Sequence, residues 1–306
     1  FPYTTLFRSK KMNERSGSNL KAKLILLAGV FSCSMSSAFF RYMTAPSTIA
    51  ATYRLGWTVL LLTPLIFSKR ETRKELLSLK GKDLAFCGLS GLFLAMHFVV
   101  WFESLSNTSI ASSTVLVNTE VAFAAFGYLL FFGKKIRKKE ILAIGIAFLG
   151  SVVIAMADTG GGAGKNAVLG DILALLAAFF SACYTLIGTR ERSHMSTIVY
   201  TYVLYWGCFL SLLVFDAVSG VPMTGYEPIN WIMSLCLAVF CTLLGHSVFS
   251  WSLKFLTPTY VSTVKLAGPV FASISAILLF GEIPGLIQVA GAAVVLAGVY
   301  LYAKNS

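Results

Sequence analysis

The sequence predicts an all-α membrane protein, with ten transmembrane helices arranged as two inverted five-helix repeats. Three observations predict it. Of 306 residues, 57% are hydrophobic and 12% charged, and the mean hydropathy is +0.77, which leaves too little polar surface for a soluble domain of this length. Ten apolar stretches come close to the roughly 20 residues a helix needs to cross about 30 Å of hydrocarbon. Finally, the run from Phe132-Gly133-Lys134 to Gly150 returns as the run from Phe280-Gly281-Glu282 to Gly298, with five stretches per copy. An odd number of crossings turns the second copy upside down relative to the first.

The elements follow in chain order. Residues 1–9 read as a translated sequencing adapter, so 1–20 are set aside as an adapter-like artefact plus a cytoplasmic tail beginning at Met12. The first repeat is expected over 21–157. Its spans are 23–40, with Ser32, Ser34, Ser36 and Ser37; 47–67, with Arg54; 84–102, with His97 and Trp101; 110–132, with Asn118 and Glu120; and 140–157, with Ala143 and Ala147. A Gly-rich external linker at 158–168 leads to the second repeat, 169–304. Its spans are 169–188, with Ser181 and Tyr184; 198–218; 231–253, with His246 and Trp251; 258–279, with Lys265, Gly268 and Pro269; and 286–303, with Ala293 and Ala297. Small hydroxyl residues allow close helix approach. The paired alanines, four apart, signal helix contact or a homodimer.

The net charge of +12 is explained by its location. Eighteen Lys and Arg fall in the tail after Met12 and in alternate loops, whereas the opposite side holds Arg41 and Lys165. By the positive-inside rule both termini are cytoplasmic, in agreement with an even number of spans. The basic loops are topology signals and lipid-headgroup contacts, and nucleic acid is not an expected partner. Cys33, Cys87, Cys183, Cys208, Cys236 and Cys241 all lie in apolar spans without metal-ligand spacing. The 159–165 loop fails as a phosphate cradle, because Thr159 stands where a Gly is required and Asn166 replaces Ser or Thr. With no HExxH, GxSxG or Asp-rich cluster, neither an enzyme nor a cofactor is expected.

Toward the ends of the two halves the residues become specific. Leu278-Leu279-Phe280-Gly281-Glu282-Ile283-Pro284, preceded by Gly268-Pro269-Val270 and followed by Gly291 to Gly298, resembles the EamA-type domain of the drug/metabolite transporter superfamily. Further matches are 111–119 and Gly245-His246-Ser247-Val248-Phe249-Ser250-Trp251. The first copy departs from the pattern, with Val121 at a usual Pro and Lys134 at the Glu of the Gly-Glu corner. The resemblance implies a carrier in the cytoplasmic (inner) membrane that exports amino acids or similar metabolites. It also implies alternating access, with the third, fourth, eighth and ninth spans rocking against the fifth and tenth. Uptake of a metabolite or nucleobase-like solute is the alternative, and a channel or structural subunit is the alternative of another class.

The polar residues inside the spans carry the site expectation. Glu120 lies roughly 16 Å from the external start of its span, and Lys265 roughly 10 to 12 Å from the cytoplasmic start of its own. In about 30 Å of hydrocarbon they therefore share a depth. One reading makes them the lining of a central cavity that holds a zwitterion or exchanges a coupling proton; the other makes them a permanent ion pair locking the halves together. Pro269, four residues after Lys265, removes a backbone donor and marks, with Gly268, either a hinge or a passive kink. His97 and His246 are matched by the repeat and are expected in similar surroundings, as hydrogen-bond donors to substrate, as proton carriers, or as neutral rings bonded to a neighbouring helix. Trp101, Trp251, Tyr184 and Asn118 complete the expected substrate set. Arg54 is expected to reach a carbonyl or an acid such as Glu103.

Overall fold

The computed structural model describes residues 20–40, 42–108, 110–157, 166–281 and 285–305. Residues 1–19, Arg41, Ser109, most of the Gly-rich linker with Lys165, Glu282-Ile283-Pro284 of the second corner and Ser306 lie outside the described residues. The regular structure among the described residues is helical, without strands. Among the described residues nine helices are long and apolar enough to cross a membrane: Leu20–Phe40, Ser47–Ser68, Gly81–Asn107, Val115–Phe132, Ala167–Glu191, Thr197–Val218, Pro228–Ser252, Pro258–Leu279 and Leu286–Asn305. The remaining expected stretch, 140–157, is occupied by the 20-residue helix Lys138–Ala157. A short polar helix, Arg70–Leu77, follows the second span.

Helix ends obey local chemistry. Ser196, Thr257 and Asn166 cap their helices by accepting from Val199 N, Tyr260 N and Leu169 N. Gly133 and Gly281 adopt φ of 64° and 68°, and each N–H returns to a carbonyl of the last turn, Leu129 O and Ile277 O, at 3.0 Å. These are the left-handed helix ends that Gly makes without steric cost.

The internal repeat is visible in the helix limits. Ile110–Val117 and Glu120–Phe132 recur as Pro258–Lys265 and Gly268–Phe280, each bound 148 positions later (110 to 258, 120 to 268). Lys138–Ala157 recurs with the same offset as Leu286–Asn305. The spans Val115–Phe132 and Pro258–Leu279 are therefore both interrupted, at Asn118-Thr119 and at Leu266-Ala267. Tight turns bridge the gaps: Thr119 N to Leu116 O at 3.1 Å, and Leu266 N to Thr263 O at 3.1 Å. In the first copy, with Val121 at the position of Pro269, the Thr119 hydroxyl also donates to Leu116 O at 2.6 Å, which occupies a carbonyl that the interruption releases.

Helices Lys138–Ala157 and Leu286–Asn305 close on each other through glycines. A Cβ on Gly150 would strike the backbone of Val295, and one on Gly298 the backbone of Ala147. The two contacts exchange under the 148-residue offset, as a two-fold relation requires. The two alanine stripes therefore differ in what they meet. Ala143 and Ala147 are buried, but Ala293 and Ala297 are exposed on the far side of their helix, because Gly291, Val295 and Gly298 form the contact face. Two apolar clusters make up the core, one around Leu55, Leu94, Phe98 and Tyr205, the other around Val30, Val121, Val264 and Val295. Exposed side chains such as Phe131, Leu142, Leu149 and Val214 supply the apolar exterior that lipid requires. At one end Lys23 donates to Ala303 O at 3.2 Å and Arg137 to Asn305 O at 3.1 Å. The start of the first span, the end of the last and the basic 134–139 loop thus share one face.

Candidate functional site

Glu120 is the first residue after one interruption, and Lys265 is the last residue before the other. The chain delivers them to each other. Lys265 Nζ donates to Glu120 Oε1 at 2.7 Å and to Oε2 at 2.6 Å. Ser181 donates to Oε2 at 2.7 Å and Ser262 to Oε1 at 2.9 Å, with Thr185 at 3.5 Å. The ammonium lies 5.7 Å from the Tyr184 ring centre and 5.6 Å from that of Phe249, within cation–π range.

Three effects hold these charges. A lone charge at the centre of a span costs about 2.5 to 3.5 kcal/mol on insertion scales, and mutual pairing with extra hydroxyl donors offsets that cost. Helix ends add to the stabilisation: Glu120 sits at the positive N-terminal end of its helix and Lys265 at the negative C-terminal end of its own, worth about 0.3 to 1 kcal/mol each. The pair also lies where the two apolar clusters adjoin, since Tyr184 belongs to the first and Val264 and Phe249 to the second. It is not sealed. The Lys265 side chain keeps 19% of its surface, against 10% for Glu120.

The remaining expected residues divide. Tyr184 faces the ammonium, and its hydroxyl lies 3.4 Å from His246 Nδ1. His246 also touches Phe98 and Phe249, with ring centres 5.9 and 5.5 Å away. Asn118 lies in the interruption beside Glu120, and its Nδ2 is buried without a partner. His97, by contrast, is bonded through Nδ1 to the Ala177 carbonyl at 2.9 Å and stacks on Trp101. The expectation of like surroundings for the two histidines therefore fails. His97 spends its ring nitrogen on a neighbouring backbone, and His246 turns to Tyr184. Trp101 Nε1 is buried and unpartnered. Trp251 packs on Phe255, ring centres 4.8 Å apart, and among the described residues no ring contact ties it to the pair. Gly268 opens the second half-helix and Pro269 follows it; a Cβ on Gly268 would meet only Ser34 Oγ at 3.5 Å, so close packing does not demand glycine there.

Sequence reasoning missed two features. One is the hydroxyl cradle, although Ser181 and Thr185 stand four apart on one helix face and Ser262 stands three before Lys265, a spacing that signals a shared side. The other is a π-helical stretch, Leu237–His246, for which the apolar sequence gives no sign. Arg54 was also misassigned. Its Nε donates to Thr242 Oγ1 in that stretch at 2.6 Å, while Glu103 accepts from Asn107 Nδ2 instead. Among the described residues, Asp83, Glu191 and His194 are one group with ligand atoms within 4.8 Å of one another. Arg190 lies 3.6 Å from Glu191, so the group reads as an ion-pair cluster at a helix end.

Comparison with known proteins agrees with this architecture. A solved crystal structure of another protein superposes with a TM-score of 0.74 over 93% of this chain and 97% of that one, at 16% identity. An uncharacterized transporter of Archaeoglobus fulgidus is 26% identical over 250 residues, 79% of this chain and 84% of its own. A probable amino-acid metabolite efflux pump of Salmonella typhimurium is 27% identical over 56% of this chain and 59% of its own. A protein of the same name from Escherichia coli is 22% identical over 72% and 74%. The model of the EamA-like transporter family matches twice, over residues 20–156 and 168–303. Two matching copies spanning nearly the whole chain, on an apolar helical body, identify the chain as a multi-pass membrane transporter belonging to the EamA-like transporter family.

Proposed function

We propose that this chain is a secondary carrier exporting amino acids or related small polar or amphipathic metabolites by alternating access, with Glu120 and Lys265 as its central substrate and coupling groups. The 2.6 Å contact between one charge from each repeat, made where both helices are interrupted, carries this reading. Ionisable residues deep in a span usually mark the pathway, and interrupted helices near mid-membrane offer free backbone groups to a solute. The ammonium of an amino acid, or a proton, competes with Lys265 for the Glu120 carboxylate and so couples occupancy to the contact between the halves. Amino-acid metabolites as cargo are supported by the names of the Salmonella and Escherichia coli relatives.

In this reading Lys138–Ala157 is the fifth of ten spans, the repeats cover 21–157 and 169–304, and both termini face the cytoplasm from the inner membrane. The basic loop and the chain ends gathered on one face support that orientation. Gly268 and Pro269 form the hinge, and the interlocked pair Lys138–Ala157 and Leu286–Asn305 the less mobile scaffold. The chain carries no nucleotide-binding motif, so a solute or proton gradient drives it.

Counterflow of labelled amino acids into proteoliposomes tests the proposal. Wild-type protein is expected to show saturable, trans-stimulated uptake, and Glu120→Gln to abolish it while remaining folded in the membrane. Wild-type transport by Glu120→Gln would reject the pair as the coupling site. Conduction without trans-stimulation would favour a channel.

A further inference from the structure

Glu120 and Lys265 neutralise each other, but another buried charge, Arg54, has no such counter-ion among the described residues. Arg54 is the eighth residue of Ser47–Ser68, about 11 Å along the helix from Ser47, and is only 4% exposed. Among the described residues no carboxylate comes within ion-pair distance of it. Its Nε is fixed by Thr242 Oγ1, its guanidinium carbon lies 5.1 Å from the Phe98 ring centre, and its Nη2 is buried with no hydrogen-bond partner. A buried guanidinium with unused donors is costly unless something else completes its shell.

The surroundings connect this group to the central pair. Phe98 touches the His246 ring, His246 meets the Tyr184 hydroxyl, and the Tyr184 ring faces Lys265. Thr242 is presented by the π-helical stretch, where Thr242 Oγ1 bonds back to Leu237 O at 3.3 Å and Ser247 Oγ to Thr242 O at 3.2 Å, both five residues apart. Such wide turns are uncommon and often occur at functional sites. A rigid fork with free N–H groups suits a planar oxyanion bidentately.

We propose that Arg54, held by Thr242 and Phe98, is the carboxylate-recognition residue of this carrier, so that its substrates are small solutes bearing a carboxylate. The inference rests on the carrier reading but makes a separate claim about binding. Its test is therefore an equilibrium measurement that needs no transport: binding of labelled amino acids to the purified full-length protein in nanodiscs, competed by each amino acid and by its carboxamide. The wild type is expected to prefer the acid. Arg54→Gln should weaken acid binding by about tenfold or more, the scale of a lost hydrogen bond to a charged group, and leave the amide unchanged, whereas Arg54→Lys should fall between. Thr242→Val, which keeps the charge but removes its anchor, serves if Arg54→Gln does not fold and should narrow the preference for the acid. A wild type that binds no carboxylated solute, or variants that keep the wild-type preference, would overturn the assignment. Loss of exchange in Glu120→Gln with the acid preference retained would leave the two claims separately supported.

Discussion

At the scale of single residues, the pair was legible and its setting was not. Counting residues from the ends of their spans was enough to bring Glu120 and Lys265 to one depth, because helix rise is constant. The hydroxyls that complete the carboxylate come from Ser181 and Thr185 on another helix, and rotation of one helix about another leaves little trace in an apolar sequence. His97 and His246 show the same limit: the repeat pairs their positions but not their hydrogen bonds. The geometry makes a stability prediction. Lys265→Met leaves Glu120 buried without its cation, which costs about 3 to 5 kcal/mol when a buried pair is broken. The double variant Glu120→Gln/Lys265→Met should recover most of that loss. Thermal unfolding of the purified proteins in detergent checks this; equal destabilisation by the single and double variants would show that the pair is not mutually compensated.

At the scale of elements, the expected spans recur as helices because each long apolar run must satisfy its own backbone in lipid. The interruptions were half legible. Pro269 announced the interruption of Pro258–Leu279, but Val115–Phe132 is interrupted at the matching point with Val121 in that position, since Thr119 and the turn at Leu116 replace what proline does elsewhere. Close helix packing was legible only in part, because alanines and glycines are both small and only geometry tells which stripe faces inward. Gly298→Leu should therefore separate the last helix from Ala147 and lower the melting temperature or the yield of folded protein. Gly145→Leu should do neither, because a Cβ there meets nothing within 4 Å. Fluorescence-detected size exclusion with heating distinguishes them; equal loss in both variants would contradict the assigned contact face.

At the scale of the whole molecule, duplication supplies the logic. Two copies with like-placed interruptions converge, and one contributes an acid where the other contributes a base. Each copy brings one member of the ion pair, so the pair reports on the relation between the halves. If that relation changes during transport, the interruptions must lie on a water-filled path rather than in sealed packing. Asn118, beside Glu120 and with an unpartnered amide, is a suitable probe. In a variant lacking the six native cysteines, Asn118→Cys in sealed vesicles is treated with a membrane-impermeant thiol reagent. Our account predicts modification, slowed when a transported amino acid saturates the protein. A thiol at position 118 that stays unmodified from both faces of the membrane, with and without solute, would contradict it.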